Sequence, residues 1–191
     1  MADTTVEVWN MVLAYLNAGT VSSTTENSRQ ARALSVFADD TRQEMLRDLA
    51  PPFAHKVATL SESSDTNYTE YSYIYDLPSD YLKIVDLLDS SYYKYDTYYY
   101  IDDSHIYLNY TPGIIRYIYD CSDVTLWDND FTEAYVLYMA AKVAPQLIPG
   151  GLKYQQQYLA LYERKKIDAM GKAGEEEFNH DYTPQEYNDW W

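Results

Sequence analysis

The chain of 191 residues is long enough for one well-cored domain, with room for an insertion and a tail. Its 14 Lys plus Arg against 30 Asp plus Glu leave a formal net charge of −16, which excludes tight binding to a phosphate backbone, where clustered positive charge is needed. The single cysteine, Cys121, excludes an internal disulfide framework and a multi-cysteine metal site, and fits a protein folded under reducing conditions with this thiol simply buried.

Thr4 with Glu7 three residues on forms a capping box, and Val6, Trp9, Val12, Leu13 and Leu16 recur at helical spacing before Gly19 supplies a stop. After a polar loop, Ser28 caps a second helix with Leu34, Phe37, Met45 and Leu49 on one stripe, ending at Pro51-Pro52. Phe53, Val57 and Leu60 predict a short third helix. The character changes near residue 67, where Tyr, Ile, Val and Thr dominate between regularly spaced turn residues. Strands are predicted at Tyr71–Leu77, Tyr81–Leu88, Tyr93–Ile101, Ile106–Tyr110 and Ile114–Tyr119.

Asp128 and Asp130 introduce a further helix in which Phe131, Tyr135, Tyr138 and Met139 make a stripe and Ala134, Ala140, Ala141 and Ala144 permit close packing, until Pro145 and Pro149-Gly150-Gly151 interrupt it. The last helix runs from about Lys153 to Met170 on Tyr154, Tyr158, Leu161 and Tyr162. The expected fold is therefore α+β. It comprises a helical bundle domain in two parts, residues 1–66 and 126–170, with an antiparallel β domain inserted at 67–125 and an extended C-terminal tail at 171–191. No segment has the make-up of a signal peptide, and none approaches the roughly 20 apolar residues that span a bilayer, so no membrane anchor is expected.

Signs of catalysis are sparse. Asp128-Asn129-Asp130 opens like a calcium loop, but Glu133 and Met139 stand where such a loop needs Gly and Glu, which leaves helix capping. His55, His105 and His180 lie in three separate regions without zinc-ligand spacing. Neither a Gly-rich phosphate loop nor a GxSxG turn occurs, and the many carboxylates have no pattern that favours glycoside hydrolysis. A non-enzyme is expected, with no catalytic residue, cofactor or metal.

The densest feature is the run YYKYDTYYYIDDSHIYLNY from Tyr92 to Tyr110. Strand alternation puts Tyr93, Tyr95, Thr97, Tyr99 and Ile101 on one face and Tyr92, Lys94, Asp96, Tyr98 and Tyr100 on the other, so both faces carry rings. Three uses are open: core rings with their hydroxyls in water, a subunit interface, or a stacking surface for sugars. The candidate contacts with another subunit or a tail component are Tyr92, Tyr98, Tyr100 and Tyr107. The end of the chain, GEEEFNHDYTPQEYNDWW, is too acidic to fold alone, yet it carries Phe178, Tyr182, Tyr187, Trp190 and Trp191, aromatic anchors suited to ordering on a partner.

Several pieces, in order, carry a resemblance. They are Trp9-Asn10 with Leu13-Ala14 and Gly19; Ala31-Arg32-Ala33-Leu34; Arg42-Gln43-Glu44-Met45-Leu46-Arg47; and Phe53-Ala54-His55-Lys56 with Leu60. Further along stand Tyr75-Asp76-Leu77-Pro78-Ser79-Asp80-Tyr81-Leu82-Lys83, Arg116-Tyr117-Ile118-Tyr119-Asp120, Phe131-Thr132-Glu133-Ala134 and Ala140-Ala141-Lys142-Val143-Ala144. From about Val6 to Leu147 the chain resembles the tail tubular protein A, or head-to-tail adaptor, family of short-tailed bacteriophages. Members often carry a Trp before Phe-Ala, where this chain has Ala50-Pro51-Pro52.

The resemblance implies a virion protein assembled in the host bacterial cytoplasm: a homo-oligomeric ring of twelve subunits between portal protein and tail nozzle protein, with tail fibres nearby. It further implies that double-stranded DNA passes through the ring during ejection without specific binding. Beyond Leu147 the resemblance gives no match, so the portal-binding role expected of Phe178, Tyr182, Tyr187, Trp190 and Trp191 rests on the tail's own chemistry and on analogy with adaptors whose C-terminal extensions grip the portal.

Overall fold

The computed structural model describes residues 4–180 except 68 and 96, and at 169 and 171–180 it describes the backbone alone. The fold is α+β, with helices α1 (Thr5–Leu16), α2 (Arg29–Leu49), α3 (Asn129–Leu147) and α4 (Gly151–His180). The strands are β1 (His55–Thr59), β2 (Tyr73–Asp76), β3 (Tyr81–Leu88), β4 (Tyr100–Ile101), β5 (His105–Leu108) and β6 (Ile114–Tyr119). Two compact units divide the chain. A helical unit takes the described part of Met1–Thr41, Pro51–Phe53 and Asp123–Trp191, and a sheet unit takes Arg42–Ala50 and Ala54–Ser122. The β region thus begins before residue 67, and the division falls inside α2.

In the helical unit, the Thr4 hydroxyl accepts from the Glu7 amide at 3.2 Å and the Glu7 carboxylate accepts from the Thr4 amide at 3.1 Å, completing the capping box that starts α1. Val8, Trp9, Val12, Leu13 and Leu16 form its buried face. The stop comes earlier than Gly19: Asn17 takes the left-handed conformation at φ 50 and closes the last turn. Asn10 then fixes the following loop, its side-chain amide donating to the Val21 carbonyl at 3.0 Å and accepting from the Val21 amide at 2.8 Å. Ser28 caps α2 by accepting from the Ala31 amide at 3.1 Å.

Asp128 caps α3 by accepting from the Phe131 amide at 2.7 Å, the capping role that its place before the helix predicts. Helix α3 is buried around most of its circumference, and its alanines let other backbones come close. Pro145 does not end it, because a proline in the last turn forfeits one hydrogen bond and the helix closes at Leu147. Gly151, at the start of α4, is required: a Cβ there would fall on the Ala144 carbonyl. The α3–α4 contact is made by Tyr138 stacked on Tyr162 at 4.3 Å and by Lys165, 2.7 Å from Glu133. Helix α4 also passes Met170, the expected end, and runs through Gly171 and Gly174 to His180, so the first part of the expected extended tail is helical.

The sheet unit holds two three-stranded antiparallel sheets, ordered β1-β6-β3 and β2-β5-β4. Leu60, Tyr75, Leu87, Ile106, Leu108, Ile115 and Tyr117 form one buried cluster that draws on both. Two expectations fail here. The third helix is absent: Pro52–Ala54 makes one 3₁₀ turn, and His55–Thr59 pairs with β6 from His55↔Ile118 to Thr59↔Ile114. The spacing of Phe53, Val57 and Leu60 suits a helix, but the open backbone edge of the apolar central strand β6 overrides so short a local period. Among the described residues the long third strand is absent too. Of Tyr93–Ile101 only Tyr100–Ile101 is a named strand, with one isolated bridge between Leu88 and Lys94. A segment with rings on both faces has no apolar side to set its register.

Candidate functional site

Burial sorts the tyrosines into two populations. Tyr75, Tyr107 and Tyr117, on the regular strands, are core residues, and each finds an acceptor for its hydroxyl: Tyr117 donates to Asp80 at 3.0 Å, Tyr107 to Asp102 at 2.8 Å, and Tyr75 to the Tyr110 carbonyl at 3.4 Å. Burial, with the Asp80 hydrogen bond second, pushes the Tyr117 hydroxyl up to about 12, and burial does the same for Tyr110. Tyr107, one of the expected contact residues, is 8% exposed in the single chain and packs against Tyr100, ring centroids 5.4 Å apart.

The other population runs along the irregular segment after β3 and into β4. Tyr92, Tyr93, Tyr95, Tyr98, Tyr99 and Tyr100 all face solvent, from 43% for Tyr95 and Tyr99 to 88% for Tyr98. Its anchorage is by backbone and turn contacts. Asp89 accepts from the Ser91 and Tyr93 amides, the Tyr95 amide donates to the Leu87 carbonyl at 2.8 Å, and the Tyr95 ring leans on Tyr110 at 4.7 Å. Tyr92 sits at φ 65, a left-handed conformation that a bulky residue adopts at a cost. The chain thus holds these rings out in spite of local strain and without a core of their own.

The segment ends at the β4–β5 turn, where Tyr100, Ile101, Asp102, Asp103, Ser104 and His105 line an open depression of about 650 Å³. Asp102 accepts from the Ser104 and His105 amides at 3.0 and 2.8 Å. Those amides, the Ser104 one foremost, and the Tyr107 hydroxyl hold its carboxyl down at about 2, so it is ionised at any ordinary pH. The His105 ring is ringed by carboxylates. Its Nδ1 lies 3.3 Å from Asp102, and its Nε2 lies 3.3 Å from Asp65 and 3.4 Å from Asp76. Among the described residues no group of three or more His, Cys, Asp or Glu side chains is placed to hold a metal ion.

No family model matches the chain, and no curated protein matches it. The functional reading therefore rests on the residues themselves. Of the sequence-predicted contacts, Tyr92, Tyr98 and Tyr100 are together on one exposed segment and Tyr107 lies beneath it. Phe178 falls on the α4 backbone with its side chain outside the described residues, and Tyr182, Tyr187, Trp190 and Trp191 lie outside them altogether. No helix of the described residues is long and apolar enough to cross a membrane.

Sequence spacing missed Tyr93, Tyr95 and Tyr99 as solvent-facing rings; the signal was present in aromatics on both faces, which no single core can absorb. It also missed what the most polar resemblance residues do. Arg42 holds Asp120 with two bonds, of 2.7 and 3.0 Å, and Gln43 adds a third at 2.9 Å. Lys56 and Tyr117 converge on Asp80 at 2.7 and 3.0 Å, and Lys83 donates to the Arg47 carbonyl at 3.0 Å. These residues fasten the sheet unit together.

Proposed function

We propose that this chain is a structural head-to-tail adaptor of a bacteriophage virion, without catalysis, which forms a ring between portal and tail nozzle through which the genome passes during ejection. The observation that carries the reading is the row of exposed rings from Tyr92 to Tyr100, on a segment the core does not need. In an adaptor, exposed tyrosines on the sheet unit give a patch for the nozzle its apolar area, while their hydroxyls keep the free subunit in solution. The resemblance set out above supplies the partners, and its residues Arg42, Asp80 and Asp120 are those that tie the sheet unit. The net charge of −16 suits a conduit, because carboxylates facing a duplex repel it. In this reading Phe178, Tyr182, Tyr187, Trp190 and Trp191 dock on the portal, and the sheet unit faces the nozzle and its fibres.

Light scattering after size-exclusion chromatography, with a portal pull-down, tests it. The expected result is a ring-sized species that captures portal, and a truncation lacking residues 178–191 that loses portal while keeping its helical circular dichroism. Equal portal binding by the truncated chain would refute the tail assignment.

A second reading is favoured by one feature, the depression in which the Tyr100 ring stands beside Asp102 and Asp103, a pairing of stacking face and hydrogen-bonding carboxylates that suits sugars. It makes the chain a carbohydrate- or receptor-binding tail module. A monomer that ignores the portal and binds glycans would establish it instead.

A further inference from the structure

The exposed segment says something about the chemistry of what covers it. From Asp86 to Asp103 the sequence holds five aspartates and the single cation Lys94, and Lys94 is already spent on Asp86, 3.0 Å away. Tyr93, Tyr98 and Tyr100 thus stand exposed on a stretch whose carboxylates outnumber its cations, and Asp102, with His105 as its basic neighbour, is ionised at any ordinary pH. One side chain satisfies both features at once: a guanidinium stacks flat on a phenol ring and pairs in plane with a carboxylate, whereas an ammonium is a compact, strongly hydrated point charge.

A second copy of this chain is poorly supplied with such groups. Of its six arginines Arg42 is committed to Asp120, Arg116 to Asp86, Arg29 to the Gln146 carbonyl, Arg32 to Asn27 and Arg47 to the Leu82 carbonyl, which leaves Arg164 on the exposed face of α4, and every copy brings a further charge of −16. Backbone geometry adds an anchor. β4 is the edge of its sheet. The Asp102 amide donates to the His105 carbonyl, so alternation turns the N–H and C=O of Ile101 away from β5, toward whatever lies alongside.

We propose that the surface formed by Tyr93, Tyr98, Tyr100, Asp102 and Asp103 receives an arginine-bearing extended segment of a different protein, laid along the free edge of β4 with guanidinium groups stacked on the rings. The inference rests on the adaptor reading only in taking this segment as a docking surface.

The test uses the full chain, isotope-labelled, and three synthetic peptides that alternate valine with arginine, lysine or citrulline, the last a neutral isostere of arginine. The arginine peptide is expected to bind about fivefold or more tighter than the lysine peptide, with the citrulline peptide showing no saturable binding. Amide shifts should fall within residues 92–103. Both Tyr93→Ser/Tyr98→Ser and Asp103→Asn should weaken the arginine peptide by about fivefold without moving the melting temperature, since these side chains are exposed.

Equal affinity for the lysine and arginine peptides, untouched by the substitutions, would reduce the effect to net charge and overturn the proposal. Shifts elsewhere, a glycan displacing the peptide from these residues with higher affinity, or a self-association abolished by Tyr93→Ser/Tyr98→Ser would overturn it as well. If rings form on portal but the arginine peptide fails, only this inference falls. If the peptide binds as expected but the chain stays monomeric and ignores portal, the adaptor reading falls and the docking surface stands.

Discussion

Asp120 shows how much one side chain organises. Burial raises its pKa, but hydrogen bonds from Arg42 and Gln43 and the Arg42 charge outweigh this, so the carboxyl ends below its ordinary 3.8. A depressed carboxyl contributes stability that is complete above the unfolded value and disappears as pH falls through the folded one. Acidification below about pH 4 should therefore lower the melting temperature of the natural chain. In Asp120→Asn the loss should already be present at pH 7, by about 2–3 kcal/mol, less than a fully sealed pair costs because Asp120 is 22% exposed. The variant should then show a flatter acid limb. Thermal denaturation of both proteins from pH 3 to 7 checks this, and parallel curves would contradict it. Nothing in the sequence pointed to the pair, since the partners stand 78 positions apart and only the fold brings them together. Local chemistry was legible by contrast: Thr4, Ser28 and Asp128 were identifiable as caps because a cap and its target are three residues apart.

The elements divide along the same line. β3 and β6 occupy the residues predicted for them, because each is an uninterrupted run rich in Ile, Leu and Tyr between strong turns. β1 was read as a helix because its apolar positions are few and pairing, not periodicity, decides its state. Proline substitution can establish that state in solution. The Leu60 amide donates to the Gly113 carbonyl at 2.8 Å, so by antiparallel alternation the Ala58 amide points at β6 and the Val57 amide points away. Ala58→Pro should cost roughly 3 kcal/mol, and Val57→Pro on this edge strand roughly 1 kcal/mol. Urea denaturation would measure both; equal penalties would mean that this stretch is helical after all. The Tyr-rich run was the harder case, since propensity favoured a strand at every position from Tyr93 to Ile101 and only the lack of a single apolar face argued against one.

For the molecule as a whole, charge sets the terms of assembly. Copies of a chain with a net charge of −16 repel one another, and any contact between them has to overcome that repulsion. Raising ionic strength from about 0.01 M to 0.15 M shortens the screening length from roughly 30 Å to 8 Å, so self-assembly should strengthen with salt. Sedimentation velocity across that range measures it, and rings that dissociate as salt rises would show that oppositely charged patches hold the copies together instead. Binding of an arginine-bearing partner should run the other way and weaken with salt. Composition made the repulsion legible, and the tyrosine count pointed to more rings than one core absorbs; which of them stay exposed depended on the burial of Tyr75, Tyr107 and Tyr117, a property of the folded sheets alone.

The separation of Trp9 and Trp127, both buried in the helical unit, from a sheet unit that contains none of the four tryptophans has a practical outcome. Indole emission, excited at its red edge, reports on the helices and the chain's end, while most of the 23 phenols colour the near-ultraviolet dichroism of the sheets. Two optical channels in one cuvette can thus time the melting of each half separately, with no label attached.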